Sequence, residues 1–121
     1  MYTYKFKIPG IPVVQQRWQI GRYGQRYDPT SAKRKQLAIS LLVARQTNAM
    51  PIFKNDLSLK LTFYFQAHGA RKIDIDNCLK AFFDSGNGTL WEDDDQICHV
   101  EAWKVKCEPG HEQTEAEIRE L

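Results

Sequence analysis

Polar and apolar residues alternate through TYKFKI (3–8), the two-residue period of a strand, and PGIP stops the run. The same period is clearest in LSLKLTFYFQ (57–66), which puts Leu57, Leu59, Leu61, Phe63 and Phe65 on one face. ICHVEAWKVK (97–106) and TEAEIRE (114–120) read as two more strands, with Pro109-Gly110 in a hairpin connection between them. Elsewhere the period lengthens. Asp28-Pro29 offers an N-cap followed by proline at the first helical position, so a helix is predicted from there to about Thr47. Leu37, Leu41 and Ala44 form its apolar stripe, and Lys33, Arg34 and Arg45 lie mostly off it. A second helix is predicted over about Asn77–Ser85, ending at Gly86, with Asn87-Gly88 as the turn. HGARK (68–72) is a connection. The elements predict an α/β (α+β) fold, a single domain over residues 1–121 with a mixed sheet of about four to five strands and two main helices.

The totals narrow the class. The chain has 121 residues, 42% hydrophobic and 26% charged, which suits one modest core in a soluble domain. No apolar run of about 18 residues exists to span a membrane. MYTYKFKIPG lacks the apolar core of a signal peptide, so the protein is expected to stay in the cytoplasm. Cys78, Cys98 and Cys107 are spaced for neither a zinc site nor a disulfide framework and read as small buried thiols. His68, His99 and His111 are equally scattered.

Charge changes the picture more. The net charge is +2, yet residues 1–54 hold ten Lys/Arg against the single acid Asp28, and residues 55–121 hold seven against fourteen acids. Such a division suggests a basic surface for a polyanion and a separate acidic site. VVQQRWQIGRYGQRYD (13–28) interleaves Arg17, Arg22 and Arg26 with Trp18, Tyr23 and Tyr27 around two glycines. As an irregular loop or short hairpin it suits nucleic acid, since guanidinium groups seek phosphates and aromatics stack on bases or sugars. An ordered surface loop pinned by its aromatics is the plainer alternative. Lys33, Arg34, Arg71 and Lys72 are the further candidate DNA contacts.

The acids concentrate in KIDIDNCLKAFFDSGNGTLWEDDDQ (72–96). In extended chain Asp74 and Asp76 would point to one side, whereas on a helix they would stand about 200° apart and could not share an ion. Asp76-Asn77 is also a helix-start signal, so the pair fits the last extended residues before the helix. Lys80 follows one turn later on the same face as Asp76, and Asp84 continues that stripe. Glu92-Asp93-Asp94-Asp95 repel one another, a penalty that a divalent cation would remove. Oxygen ligands without His or Cys suit Mg²⁺ or Mn²⁺. An EF-hand is excluded, because Leu79 and Ser85 stand where its Gly and Glu are needed. A solvated acidic face remains open on these residues alone.

DIDNCLKAFFDSGNGTLWEDDDQI (74–97) closely resembles the signature of RusA-type Holliday junction resolvases. That signature has Asp-x-Asp-Asn-x-x-Lys, a helix ending in Asp, a short Asn-Gly turn, then an aromatic and an Asp-Asp pair before Gln. Looser matches are the first strand with its Pro-containing turn, Gln16-Arg17, and YDPTSAKRK opening a helix. The resemblance implies a RusA-like fold and a Mg²⁺-dependent homodimeric endonuclease that nicks four-way junction DNA, often encoded by a phage or prophage. Metal-binding acids carry over to Asp74, Asp76 and Asp94, and the essential lysine to Lys80. Asp93 and Asp95 flank Asp94, and Cys78 stands where an aliphatic residue is more usual. Mn²⁺ is expected to replace Mg²⁺, and no protein partner beyond a second copy is implied. The rival readings are a metal-dependent nuclease of other branched DNA and a DNA-binding module without catalysis.

Overall fold

The computed structural model describes residues 3–66 and 72–121; Arg71 and the rest of the connection before Lys72 lie outside the described residues. The chain runs β1 (Thr3–Pro9), a ribbon of β2 (Gln19–Ile20) and β3 (Arg26–Tyr27), α1 (Ser31–Thr47), β4 (Leu57–Gln66) and α2 (Ile75–Gly86). A 3-10 turn (Asp94–Gln96), β5 (Ile97–Cys107) and β6 (Gln113–Glu120) complete it. The main sheet has the order β1-β6-β4-β5, antiparallel except for the β4–β5 pair, so the fold is α+β. No helix among the described residues is long and apolar enough to cross a membrane.

The alternation in β4 is realised in full. Leu57, Leu59, Leu61, Phe63 and Phe65 are all buried, together with Phe6, Ala116 and Ile118 from the neighbouring strands. Leu37, Leu41 and Ala44 of α1 and Cys78 and Phe82 of α2 cover this face of the sheet. The predicted stripe of α1 is therefore its buried one.

Four expectations need correction. Asp28 does not cap α1: its Oδ1 accepts from Thr30 N at 2.9 Å and from the Thr30 hydroxyl at 2.7 Å, closing a turn ahead of the helix. Pro29 is thus outside α1, which starts at Ser31. Helix α2 begins at Ile75, two residues early, because the Asp74 carbonyl already accepts from Asn77 N at 3.1 Å. Strands β5 and β6 form no hairpin. Instead β4, the most apolar strand, lies between them, and the Pro109-Gly110 connection steps past its end, where Gln66 Nε2 donates to Glu112 Oε1 at 2.6 Å. Lastly, only Cys78 is a buried thiol; Cys98 is exposed and Cys107 half-buried, because both lie on the outer strand β5.

On the other face of the sheet the central row is charged and, apart from the half-buried Glu117, exposed. Lys5, Glu117, Lys60 and Glu101 stand in register across all four strands, alternating in sign. Lys5–Glu117 and Lys60–Glu101 approach to 3.9 and 3.7 Å.

After α2 the chain turns back onto Trp91, which is fully buried. Trp91 Nε1 donates to Asn87 Oδ1 at 2.9 Å, and its ring packs beside Phe82 and Phe83. Gly86 is required by this closeness: a Cβ there would meet Trp91 Cζ2 at 2.3 Å. Gly86→Ala is expected to lower stability by about 1–3 kcal/mol through overpacking. Urea denaturation checks this, with Gly10→Ala as the control for a glycine whose positive φ is strained but whose surroundings are open.

Candidate active site

Strand β4 delivers the chain to Lys72, Ile73 and Asp74, and α2 carries it back towards β5, so Asp74 follows the carboxyl end of a parallel strand. Open α/β sheets place ligands at such ends. Asp74 itself is extended (φ −84°, ψ 126°), and Asp76 lies in the first turn of α2. The two carboxylates straddle the helix start instead of sharing an extended segment. Asp76 there opposes the positive end of the helix dipole.

Lys80 Nζ stands 4.0 Å from Asp76 Oδ2, both side chains largely exposed. One turn further along α2, Asp84 is reached by Arg34 Nη1 at 3.4 Å. Arg34 also bonds Asp28, whose side chain is 4% exposed. This predicted DNA contact is therefore engaged in holding α1 to α2 and to the end of the ribbon. Lys33, by contrast, is exposed.

The acidic turn is held by one side chain. Gln96 Oε1 accepts from Glu92 N and Asp93 N at 2.9 and 3.0 Å, and its Nε2 donates to the carbonyls of Phe53 and Asn55, each at 3.0 Å. Asp93 caps the 3-10 turn by accepting from Asp94 N at 2.8 Å. Burial, then the charge of and hydrogen bond with Asp93, and then the charge of Asp84 push the Asp94 carboxyl above its ordinary range, against the bond from Asn87.

Asp94 thus faces the far end of α2, while Asp74 and Asp76 occupy its start. The eight helical rises from Asp76 to Asp84 span about 12 Å. Among the described residues no three His, Cys, Asp or Glu side chains are grouped to hold one ion. The donor chemistry nonetheless fits a hard divalent cation: carboxylates only, with the like charges of Asp93 and Asp84 acting on Asp94. Asp74 and Asp76 would hold such an ion at the helix start, with Asp94 the third candidate.

Beside Asp74 the surface opens into a hollow of ≈ 550 Å³ lined by Gln16, Arg17, Lys72, Ile73, Asp74 and Asn77, among others. The loop from β1 reaches it because Gln15 N donates to Asn77 O at 3.1 Å. Arg17 and Lys72 thereby share a cavity with the first acid of the pair. The family model for endodeoxyribonuclease RusA matches residues 9–119.

The chain belongs to the RusA family.

The match takes in the Arg-bearing loop, both helices and the acidic turn, and the family is one of nucleases that cut DNA internally. A comparison with curated proteins gives no match. One site residue escaped sequence reasoning. Lys104 of β5 donates from Nζ to the Ile73 carbonyl, next to Asp74. Burial pushes the Cys78 thiol up to about 11; Lys104 pulls it down, while Asp76 and Asp74 push it up. All three charges therefore surround one turn of α2. The available signal was its register: Lys104 lies opposite the buried Phe63, on the helix-facing side of β5 with Ala102.

In this RusA-family chain the β2–β3 ribbon carries Arg22 and Arg26 beyond the site, with Tyr27 Oη donating to Gln19 Oε1 at 2.8 Å. Trp18, Tyr23 and Tyr27 are exposed by 58%, 86% and 42%, enough aromatic surface to stack on a nucleic acid.

Two outcomes follow. Because the Asp94 pKa is raised in the fold, the native state holds a proton that the unfolded chain has lost, and stability falls as pH rises from the ordinary carboxylate range through the raised value. Asp94→Asn should therefore match or exceed the unsubstituted protein in thermal stability at neutral pH without metal, and should gain less from added Mg²⁺; calorimetry with and without the ion reads both. Replacing Arg17, Arg22 and Arg26 by Ala should weaken junction DNA binding and lower the slope of log affinity against log salt by about one unit per lost phosphate contact. Fluorescence anisotropy over a salt series measures it.

Proposed function

We propose that the protein is a Mg²⁺-dependent Holliday junction resolvase. On this reading residues 1–121 act as a single endonuclease domain, as a homodimer, in the cytoplasm of a bacterial or phage-infected cell, making paired symmetric nicks in four-way DNA during recombination and repair. Membership of the RusA family supports the reaction class. The observation that carries the reading is the shared hollow, in which Arg17 and Lys72 stand beside Asp74.

Asp74 and Asp76 are the residues to hold the cation at the start of α2, and Asp94 is the third acid that the resemblance implies. When bound, it supplies a water activated for attack on phosphorus and charge to steady the leaving oxygen. Arg17 and Lys72 bind and orient the backbone phosphates next to the acids, a role that guanidinium and ammonium donors suit. Lys80, one helical turn from the start of α2, puts positive charge towards the non-bridging oxygens as negative charge grows on them. Lys104 fixes the Ile73 carbonyl and so the chain position of Asp74. Two active sites in a two-fold dimer would cut two symmetry-related strands of one junction.

A nuclease for other branched DNA would use the same residues, so substrates must be compared side by side. Synthetic four-way junctions should be nicked in Mg²⁺ and Mn²⁺, with linear duplex cut far more slowly. Ca²⁺ should support binding without nicking, because it prefers more ligands at about 2.3–2.6 Å than Mg²⁺ at about 2.0–2.1 Å. Asp76→Asn should lose cleavage and keep junction affinity. Equal nicking in EDTA and in Mg²⁺, or full activity in the Asn variant, would remove the acidic site from the mechanism.

A further inference from the structure

Three buried side-chain nitrogen or oxygen atoms have no hydrogen-bond partner among the described residues. Two are the Nε atoms of Arg34 and Arg45, whose guanidinium groups bond through other nitrogens. The third is Gln15 Oε1, the one acceptor of the set. A buried acceptor without a donor is costly, and in folded proteins it marks strain, a catalytic role or a bound ion or water.

The place of Gln15 in the fold narrows that choice. Val13 and Val14 pack against the core ahead of it, and Gln15 N donates to the Asn77 carbonyl at 3.1 Å. Gln16 N then reaches the Thr30 hydroxyl at 3.5 Å. The backbone is thus pinned at and beyond a side chain whose oxygen nothing holds. Gln15 lines the hollow it shares with Arg17, Lys72, Asp74 and Asn77. An apolar side chain of the same length would satisfy packing there without an orphaned oxygen. The last torsion of a glutamine is broad, so the amide can turn towards the hollow.

We propose that Gln15 is a positioning residue for the divalent cation at Asp74, its Oε1 accepting from the water that the ion carries. Chemistry selects this ligand. Phosphate oxygens, the other group that the hollow attracts, accept hydrogen bonds and cannot serve an acceptor. Mg²⁺ keeps several of its waters when carboxylates hold it, and those waters donate. A neutral amide also adds an oxygen without adding to the repulsion between Asp74 and Asp76. Arg17 stands two residues further along the same pinned loop, so one short segment addresses both the ion and the phosphate. The inference rests on the cation site of the proposed function, and not on the choice of a four-way junction as substrate.

Metal binding is therefore measured first, without DNA. In titration calorimetry Gln15→Met should weaken Mg²⁺ binding about tenfold, a loss that outer partners of a bound metal commonly give. Its melting temperature without metal should equal or exceed that of the unsubstituted protein, because the orphaned oxygen is gone. A purely structural glutamine would show the reverse, a lower melting temperature with unchanged affinity. Gln15→Glu should behave oppositely to the Met variant. It should melt lower without metal, from another carboxylate beside Asp74, and should gain more from added Mg²⁺. Equal Mg²⁺ affinity in all three proteins, or a Gln15→Met protein that melts lower without metal, would overturn the role of Gln15 and leave the cation site standing. An unsubstituted protein that binds no Mg²⁺ would remove the site and Gln15 with it. Binding in the expected order by a protein that nicks no junction would refute the resolvase reading alone.

Discussion

Burial of one face of β4 is the constraint on which the other elements depend. Five large apolar side chains in ten residues must leave water together, each worth about 1.5–3 kcal/mol when fully covered. That demand puts β4 in the interior of the sheet with a neighbour on each side and calls both helices onto the same face. It also decides the unexpected topology, because β5 and β6 can both serve β4 only by standing on either side of it. Lys104 of β5, the strand parallel to β4, then holds the Ile73 carbonyl beside Asp74. The chemistry is thus placed by a packing requirement several residues away from it.

Much of this was legible in the sequence because it is local. The period of two in β4 and the stripe of Leu37, Leu41 and Ala44 each express one face of one element, and both faces are buried as read. The order of strands was not legible, since Pro109-Gly110 is good turn chemistry whether or not the flanking strands pair. The helix starts were misjudged by two residues because Asp28 and Asp74 satisfy backbone or hydroxyl donors in ways that composition does not distinguish.

For the candidate site the same division holds. The motif residues are contiguous enough to be seen as a set, but the distance between the start of α2 and the acidic turn depends on how Trp91 folds back over Gly86. Lys104 was invisible because it reaches the site through tertiary contact alone. Arg34 shows the reverse difficulty: a cation in a basic run reads as a ligand contact, yet it is bound by two carboxylates, one of them fifty residues distant. Gln96 does comparable work for the acidic turn, one amide serving four backbone groups.

The alternating row Lys5, Glu117, Lys60 and Glu101 has a bearing on which way the molecule faces its substrate. Neighbouring opposite charges a few ångströms apart cancel at range, so beyond about one Debye length, roughly 8 Å at physiological salt, little field leaves the centre of that surface. A polyanion drifting past it is neither drawn in nor turned away. Among the described residues no acid stands in register with the ribbon arginines Arg22 and Arg26, and their field extends into solvent. Capture of a strongly charged ligand is then biased towards the helical side before any contact is made. The neutral row gives the protein a back, and by doing so gives it a front.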